Sequence, residues 1–333
     1  MKREFSLPDW LESAISMTLK NWNLGVQDSK RIAEAILKMS DFYLAHPEDA
    51  TPWKETWCQI AQVAYYLPLN FLRSQSVLQE AQARNFPLGE GELLDFGSGL
   101  GAGSLPWLAG FQGPFVFVER SAEAQKLHQK ILQSRNFPQR FHWISEREIR
   151  QQKNRTALFS YSLTELSKVP DWVKESESLI WIEPSTREDG RKLLEKRKDL
   201  LAHGFSMWAP CPHQEGCPLL EDSKTDWCHD RIHLKMPDWF LDIEKHLPMK
   251  NSTLTFTYLL ASKKPSPMLG KWRMVGDQLE EKGKTRQLLC RNSKRQFLTW
   301  MHRNGPVPDV PRGVLVDVPE SFEERANEVR VLS

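Results

Sequence analysis

Three cysteines lie within 18 residues of one another in an irregular stretch of the chain. Cys211, Cys217 and Cys228 stand beside Pro, Gly or Trp in the segment APCPHQEGCPLLEDSKTDWCHD. Structural cysteines usually behave as small hydrophobic residues inside regular elements, so this context is unusual. Thiolates at these spacings can converge on a soft metal, and Cys290 in QLLCRN supplies a distant fourth ligand. The pattern predicts an iron–sulfur cluster or a structural zinc; the alternative is a set of unrelated free thiols.

Other residues near these cysteines allow variants of that site. His213 and His229 flank the segment and could replace a thiolate in a zinc site. Cys58 lies in the helical stretch WCQIAQVAYY, so we expect it to pack in the core without a ligand role.

A glycine-rich loop is the second candidate for chemistry. The strand-like LLDF, which contains Asp95, leads into GSGLGAGS with Gly97, Gly99 and Gly101. Glycine lets the backbone turn sharply and approach a ligand closely. The next strand ends in Glu119, whose carboxylate can accept hydrogen bonds from both hydroxyls of a ribose. The G-x-G-x-G spacing after an acidic residue favours S-adenosylmethionine over a dinucleotide; the alternative is a turn without a ligand.

The fourth strand gives no sign of a catalytic base. Amino methyltransferases usually have Asn or Asp followed by Pro-Pro and an aromatic residue at this point. Here the sequence is FSYSLTEL, with Tyr161, Ser162 and Glu165, so neither amine methylation nor a general base is indicated. The catalytic residues stay unknown.

The elements that must position these residues alternate between short apolar runs and helical patterns from residue 90 onward. Such alternation predicts a parallel sheet covered by helices. The seven runs are Leu93 to Phe96, Phe115 to Glu119, Phe141 to Ser145, Ala157 to Leu163, Leu179 to Glu183, Phe205 to Ala209 and Thr253 to Ala261.

The rest of the chain divides around this sheet. Ile32, Ile36 and Met39 recur at helical spacing, which predicts a helical N-terminal module over 1–88. We expect the α/β domain to span 89–262, with a cysteine-rich metal-binding insertion over 210–249. Pro, Gly and basic residues then punctuate β-like pieces, which predicts a small basic β module over 263–312 and a tail over 313–333.

The predicted β module carries most of the excess positive charge. Residues 263–312 contain 12 basic and 4 acidic side chains, with Trp272, Phe297 and Trp300 interleaved. Phosphate contacts and base stacking are therefore both available. The residues predicted to bind RNA are Lys282, Lys284, Arg286, Lys294 and Arg295. The alternative is a solvated face without a ligand.

Composition excludes several classes of protein. The 333 residues are 40% hydrophobic with a net charge of +2, which excludes a disordered chain and a global affinity for polyanions. No run of 18 apolar residues predicts a membrane span, and the first residues lack the apolar stretch of an export signal. Five cysteines without an export signal argue against disulfides, so we expect a cytoplasmic protein. We also expect the protein to be a monomer.

Taken together, these motifs resemble a known family. The segments LLDFGSGLGAGS, FVFVERS, FSYSLTEL and WIEPST, and above all APCPHQEGCPL followed by DWCH, are similar to the methyltransferase-like small-ribosomal-subunit assembly family, the Rsm-twenty-two type of bacteria and mitochondria. The resemblance covers roughly residues 30 to 312. Ser185-Thr186 departs from the Gly-Thr that usually follows the Glu-Pro of the fifth strand.

The resemblance implies a class I methyltransferase fold, Rossmann-like with a seven-stranded sheet. It also implies a site for S-adenosylmethionine, a 4Fe-4S cluster held by Cys211, Cys217, Cys228 and Cys290, and association with the small ribosomal subunit and its RNA during assembly or translation. An enzyme of this kind would methylate ribosomal RNA. The alternatives are a methyltransferase fold that serves as a scaffold without catalysis and a zinc-stabilised methyltransferase of small molecules.

Overall fold

The N-terminal part of the chain is helical. The computed structural model describes residues 3–47, 49–163, 166, 168–267 and 270–332. A short strand, β1 (Glu4–Ser6), precedes four helices: α1 (Asp9–Leu19), α2 (Ser29–Ala45), α3 (Thr56–Ala61) and α4 (Leu67–Ala83). A π-helical turn, Gln62–Tyr66, joins α3 to α4. Ile32, Ile36 and Met39 are buried on one face of α2, which confirms the helical spacing predicted from the sequence.

The middle of the chain forms strands that alternate with helices. The strands are β2 (Leu93–Phe96), β3 (Phe115–Val118), β4 (Phe141–Ile144), β5 (Thr156–Ser160), β6 (Ser178–Glu183), β7 (Ser206–Ala209), β8 (Asp230–Lys235) and β9 (Thr253–Ser262). The helices are α5 (Ala122–Gln133), α6 (Arg187–Ala202), α7 (Pro218–Glu221) and α8 (Asp238–Glu244).

The strand order identifies the fold class. The sheet runs β4-β3-β2-β5-β6-β9, with β2 to β6 all parallel and β9 antiparallel to β6. β7 pairs with β9 on its other side. This is a class I methyltransferase-like α/β fold, in which the order reverses between β2 and β5. Ligands of open α/β sheets bind at such a reversal, beyond the carboxyl ends of the strands.

The predicted count of seven strands is too low for the described residues. Within them the sheet has nine strands, because β8 pairs with residues 253–256 of β9 and β1 then pairs with β8. The cysteine-rich stretch 210–249 was expected to be irregular, but it contributes β8 to the sheet as well as α7 and α8. β8 has only two apolar residues, Ile232 and Leu234, so it lacks the continuous apolar run by which the other strands were identified.

The buried strands of the sheet contact a different core on each face. Leu93 packs with the N-terminal helices and α5, whereas its neighbour Leu94 packs with residues of α6. Successive side chains of a strand point to opposite faces, so an apolar strand buried on both faces reads as a continuous apolar run.

The C-terminal part forms a separate sheet with a small core. Its strands are β10 (Trp272–Glu281), β11 (Lys284–Arg291), β12 (Lys294–Met301), β13 (Leu315–Val316), β14 (Phe322–Arg325) and β15 (Glu328–Val331), in the order β13-β10-β11-β12-β15-β14. Trp272, Met274, Leu289, Leu298 and Val329 form the core. Residues 313–333, expected to be a tail, therefore supply three of the strands. The predicted domain boundaries themselves stay a prediction.

A buried ionic network connects the three parts of the chain. Arg273 of β10 lies 2.9 Å from Glu80 of α4 and 3.0 Å from Asp230 of β8. Arg3 donates a hydrogen bond of 2.8 Å to the same Asp230 carboxylate, and Tyr258 of β9 accepts one from Arg273. Because removing one member would leave buried charges unpaired, this network fixes β10 against the central sheet.

Candidate functional site

The glycine loop, residues 97–101, follows β2 at the reversal of strand order. Gly97, Gly99 and Gly101 have φ values of +69°, +50° and +78°, a region that side chains other than glycine rarely adopt. The loop leads into a short 3-10 helix, Leu105–Ala109. The predicted loop is therefore present at the place where this fold class binds its ligand.

The three glycines face different surroundings. A Cβ atom at Gly97 would lie 2.6 Å from the Cβ of Ser162, and one at Gly101 would lie 2.1 Å from Nε2 of His128. Among the described residues, a Cβ at Gly99 would meet only Trp53, at 3.6 Å. Gly97 and Gly101 are thus required by close packing, whereas Gly99 faces open space bounded by Trp53 of the N-terminal part.

Glu119 lies directly after β3 and faces the glycine loop. The amide of Gly99 donates a hydrogen bond of 2.9 Å to Oε2, and the amide of Ser121 donates one of 2.8 Å to Oε1. The Ser121 hydroxyl caps α5 by accepting a hydrogen bond from the amide of Ala124. The predicted ribose acceptor is therefore held beside the loop in a fixed orientation.

Asp95 is buried beneath the loop at the end of β2. Its Oδ2 accepts a hydrogen bond of 2.5 Å from the Ser104 hydroxyl, and its Oδ1 has no partner among the described residues. Burial raises the pKa of Asp95 to about 7, while the Ser104 hydrogen bond lowers it and Glu119 raises it. An orphaned buried carboxylate oxygen is costly unless a bound group satisfies it.

His128 of α5 is a residue of this site that sequence reasoning missed. It is fully buried against Gly101 and Phe117, and neither ring nitrogen has a partner among the described residues. Burial lowers its pKa to about 3, so the ring is neutral. Its sequence signal was a histidine on the apolar stripe of an amphipathic helix, with Ala124, Leu127 and Ile131.

The carboxyl end of β5 also borders the loop. The strand ends at Ser160 rather than at Leu163, because Tyr161 adopts φ +59° and the chain turns there. Burial raises the pKa of Tyr161, and the Arg73 guanidinium lies 5.4 Å from its ring centre. The Ser162 hydroxyl donates a hydrogen bond of 2.6 Å to the Phe96 carbonyl. Glu165 lies outside the described residues.

The four predicted metal ligands share one neighbourhood. Cys211 follows β7, Cys217 precedes α7, Cys228 precedes β8 and Cys290 lies on β11. Burial raises the pKa of Cys290 well above its usual range, and repulsion from Cys211, Cys228 and Cys217 as thiolates adds to the shift. These three cysteines therefore lie within electrostatic range of Cys290. By contrast, Cys58 is buried in the helical core and its pKa is raised to about 12 by burial.

Two arginines of α6 hold the cysteine-rich segment in place. Arg197 donates hydrogen bonds to the carbonyls of His213 and Glu215 at 3.0 and 2.8 Å and to Sγ of Cys211 at 3.1 Å. Arg191 donates to the carbonyls of Leu219, Ser223 and Asp226. Sequence reasoning missed both residues. The sequence did contain one indication: Arg197 is a charged residue on the same face of the helix as the apolar residues Leu193 and Leu200.

The donor chemistry of the cysteine site fits an anionic metal–thiolate group. Arg197 interacts electrostatically with Cys211, Cys217 and Cys290, while Arg273 and Arg312 lower the pKa of Cys228 that burial and the neighbouring thiols raise. Four thiolates exceed the charge of one zinc ion, so guanidinium groups around them compensate the surplus. In the described part of the chain, no three His, Cys, Asp or Glu side chains are arranged to hold a metal ion as they stand.

The histidines beside these cysteines differ in position. His213 Nε2 lies 3.5 Å from Sγ of Cys290, and burial lowers the pKa of His213 to about 4. His229 stacks at a tilt on Trp227, and its pKa is lowered to about 4, also by burial. His213 is therefore the one placed to replace a thiolate.

The residues predicted to bind RNA are largely in ion pairs. Lys284 lies 3.1 Å from Glu328, Lys294 lies 2.7 Å from Glu324, and Arg295 lies 2.5 Å from Asp226. Arg286 pairs with Glu281 and stacks on Phe297 at 4.5 Å. Lys282 is exposed in the turn between β10 and β11 and has no ion pair among the described residues. Half-exposed pairs are weak, so phosphates could compete for these cations.

None of the helices in the described ranges combines the length and the apolar character that a membrane crossing requires.

Comparison with solved structures gives distant similarities. They include precorrin-6y C5,15-methyltransferase from Geobacter metallireducens, at 13% identity over 57% of this chain and 89% of that chain, with a TM-score of 0.37. A SAM-dependent methyltransferase from Aquifex aeolicus is 16% identical over 46% of this chain and 90% of that chain, with a TM-score of 0.34. TrmK from M. capricolum, solved in complex with S-adenosyl-homocysteine, is 9% identical over 62% of this chain and 71% of that chain, with a TM-score of 0.33.

Comparison of sequences is more decisive. No curated protein matches the chain. The family described as mitochondrial small ribosomal subunit Rsm22 matches residues 57–307, which include the glycine loop and all four cysteines of the cysteine site. This match agrees with the resemblance that the motifs indicated, and the chain belongs to the Rsm22 family.

Proposed function

We propose that this protein binds S-adenosylmethionine and the RNA of the small ribosomal subunit, and that it acts in the assembly or translation function of that subunit. The observation that carries the proposal is the family match over residues 57–307, combined with a glycine loop at the reversal of strand order in a methyltransferase-like fold. The family description names the small ribosomal subunit as the partner.

The glycine loop supports the cofactor part of the proposal. Gly99 leaves space between the loop and Trp53, and the Glu119 carboxylate is oriented to accept hydrogen bonds from a ribose. Asp95 has an unsatisfied oxygen below the same loop. When bound there, S-adenosylmethionine would supply an electrophilic methyl group. The chain's own residues would bind and orient it, and Trp53 would exclude water from one side.

The side chains at the end of β5 favour a second candidate, a scaffold without catalysis. Burial keeps the Tyr161 hydroxyl protonated, the Ser162 hydroxyl is engaged with a carbonyl, and the His128 ring is enclosed. None of these three groups is placed to accept a proton from a nucleic-acid base. Transfer of a tritiated methyl group to naked small-subunit RNA or to immature subunits decides between the two. Incorporation above that of a Gly99→Arg variant indicates an enzyme, and its absence indicates a scaffold.

We propose further that Cys211, Cys217, Cys228 and Cys290 hold a 4Fe-4S cluster, with zinc as the alternative. The shared neighbourhood of the four thiols and the three surrounding guanidinium groups support this assignment. A bound cluster or ion would supply a crosslink between β11 and the cysteine-rich segment. Protein purified without oxygen should be brown and contain iron and sulfide in equal amounts. Colourless protein with one zinc would establish the alternative, which is also what a zinc-stabilised methyltransferase of small molecules would show.

The partner sets the compartment in which the protein works. Small subunits are assembled in the bacterial cytoplasm and in mitochondria, and the family description names the mitochondrial subunit. We therefore propose that the protein is located in the compartment where the small subunits of its organism are assembled, and no longer expect the cytoplasm in general. A monomer remains the proposed oligomeric state.

Sedimentation tests the central claim. Tagged protein in a cell extract should travel with small ribosomal subunits, most strongly with immature ones, and should be released by high salt because phosphate contacts are salt-dependent. Protein that stays at the top of the gradient under low salt would contradict the proposed partner. Calorimetric titration with S-adenosylmethionine tests the cofactor separately, since the scaffold candidate allows subunit binding without it.

A further inference from the structure

A polar cavity lies where the N-terminal strand, β8 and the C-terminal sheet meet. Its volume is about 150 Å³, room for roughly five water molecules or a phosphate group with its hydration. Arg3, Arg231, His233 and Arg312 line it together with Asp277 and Asp309. Neither the glycine loop nor the four cysteines line this cavity, although its Arg312 also interacts electrostatically with Cys228 of the cysteine site.

The arginines around this cavity outnumber the carboxylates. Arg3 pairs with Asp230 at 2.8 Å, and Arg231 pairs with Asp277. Three arginines, Arg3, Arg231 and Arg312, and two carboxylates, Asp277 and Asp309, line the cavity. Arg3 and Arg231 are neutralised by the carboxylates with which they pair, and Arg312 is the third arginine.

Arg312 differs from the other two arginines of the cavity. It forms no ion pair among the described residues, and its single hydrogen bond there, at 3.0 Å, goes from Nη2 to the carbonyl of His229. Its Nε is buried and has no partner in the described part of the chain. A buried guanidinium nitrogen without an acceptor is costly, so an anion at this place would stabilise the protein.

Backbone geometry keeps the guanidinium groups close together. Gly313, with φ +89°, lies so near that a Cβ atom there would be 2.2 Å from Nη1 of Arg3 and 2.4 Å from Oδ1 of Asp230. The chain next to Arg312 therefore packs directly on Arg3. The arginines come from three separate elements, and their convergence is a property of the folded protein.

We propose that this cavity binds a phosphate group of the RNA backbone. The proposal rests on the proposed function, in which the protein binds ribosomal RNA, and it assigns a contact point for that RNA. Guanidinium groups donate paired hydrogen bonds that match the oxygen atoms of a phosphodiester, and arginine side chains are common phosphate contacts in RNA complexes. The proposal places the anchor on Arg312, which has no ion pair among the described residues, with Arg231 beside it in its pair with Asp277.

The test measures the affinity of the full-length protein for a fragment of small-subunit ribosomal RNA at several salt concentrations. Arg231→Gln should weaken binding about tenfold near 0.1 M salt and reduce the slope of log affinity against log salt by about one, because one phosphate contact is lost. Arg312→Lys keeps the charge and removes the paired donors, so affinity should fall while the slope stays. Arg147→Gln, which removes an exposed arginine elsewhere, is the matched control and should leave affinity and slope close to the wild type.

Inorganic phosphate distinguishes RNA from a small phosphorylated ligand. At constant ionic strength, phosphate should displace RNA from the wild type more effectively than chloride does, and this difference should vanish in Arg231→Gln. If Arg312→Lys does not fold, the Arg231→Gln slope and the phosphate competition decide alone.

Three outcomes would overturn the assignment. An Arg231→Gln protein that binds RNA like the Arg147→Gln control shows that the cavity makes no RNA contact, while the proposed function stands. Phosphate binding that is lost in Arg231→Gln without any change in RNA affinity shows a site for a small phosphorylated molecule. A wild-type protein that binds neither RNA nor small subunits refutes the proposed function as well, whatever the cavity binds.

Discussion

The glycine loop and the cysteine site are built in opposite ways. The loop takes its shape from five consecutive residues at the end of β2, and its partner Glu119 lies at the end of the neighbouring strand β3. The cysteine site draws on three points of an irregular segment and on β11, and side chains of α6 hold that segment in place. A site made from backbone conformation is local, whereas a site made from side chains depends on the whole fold.

The difference also appears in how each site handles charge. Below the loop, Asp95 and His128 are enclosed and each has a polar atom without a partner among the described residues. Around the cysteines, Arg197 lies near sulfur groups that would repel one another as thiolates. The first site therefore contains buried polar atoms without partners, and the second combines thiol groups with guanidinium groups.

The largest expected effect is the loss of bound metal, which should depend on which cysteine is replaced. Serine substitution of Cys211, Cys217, Cys228 or Cys290 should each abolish metal binding, because four thiolates are needed to complete the coordination. Cys58→Ser, in the helical core, should keep the full metal content and serves as the control. Metal content is measured on protein purified without oxygen. Equal loss from Cys58→Ser would show that this ligand set is wrong.

The next effect tests whether a side chain of α6 supports the cysteine segment. Arg197→Met should lower the free energy of unfolding by about 3 kcal/mol, because the buried carbonyls of His213 and Glu215 lose their donor. Lys198→Met, an exposed neighbour on the same helix, should change it by less than about 0.5 kcal/mol. Urea unfolding of metal-free protein measures both. Equal stabilities would mean that the segment holds its shape without Arg197.

A pH dependence should expose the buried pair beneath the glycine loop. With its pKa raised to about 7 by burial, Asp95 keeps a proton that the unfolded chain loses, so its contribution to stability falls as pH rises from about 4 to 7. Burial lowers the pKa of His128 to about 3, so between about pH 3 and 6.5 the ring is neutral in the folded protein and protonated in the unfolded chain. The contribution of His128 to the free energy of unfolding therefore increases as the pH rises through this range. The two contributions oppose each other across the overlap.

Asp95→Asn should remove the contribution of Asp95 to the pH dependence and leave that of His128. Between about pH 4 and 6.5 the stability of the variant should rise by roughly 1 kcal/mol per pH unit relative to the wild type. The exposed Asp171→Asn is the control and should follow the wild type. Chemical unfolding at four pH values gives the comparison, and parallel curves for Asp95→Asn and wild type would argue against a protonated Asp95.

The smallest effect concerns the open space over the loop. Gly99→Ala and Gly204→Ala each place a methyl group at a positive φ with room for it, so both should lose about 1 kcal/mol of stability. Only Gly99→Ala should also weaken S-adenosylmethionine binding, by about tenfold, because its methyl group enters the space beside Trp53. Titration calorimetry measures the affinity. Unchanged affinity in Gly99→Ala would move the cofactor away from this loop.

The sequence predicted the local site better than the dispersed one. Gly97, Gly99, Gly101 and Glu119 were identified because strand, loop and strand follow each other in the chain and leave a periodic apolar pattern. Seven strands were found for the same reason. β8 was missed because it has only two apolar residues, Ile232 and Leu234, and no continuous apolar run. Arg231 and His233 of this strand line the cavity proposed to bind phosphate.

Contacts between distant segments explain what the sequence could not predict. The cysteines were visible as residue types, but the role of Arg197 depends on how α6 packs against residues 211–215. Likewise, the count of basic residues in 263–312 did not include Glu324 and Glu328, which lie in the supposed tail and neutralise Lys294 and Lys284. The net charge of a sequence segment therefore differs from the net charge of the surface it forms when strands distant in sequence contribute side chains to that surface.

The pairing of β1 with β8 has a consequence for synthesis. Glu4 aligns with His233 and Ser6 with Lys235, so the first strand of the chain has no partner until about 230 further residues have been made. At roughly 5 to 20 residues per second, that interval is on the order of ten to fifty seconds. During it the helices α1 to α4 can form, but Arg3 has neither Asp230 to pair with nor Gly313 to pack against. The phosphate cavity is therefore among the last features of the molecule to be completed, and a nascent chain cannot use it.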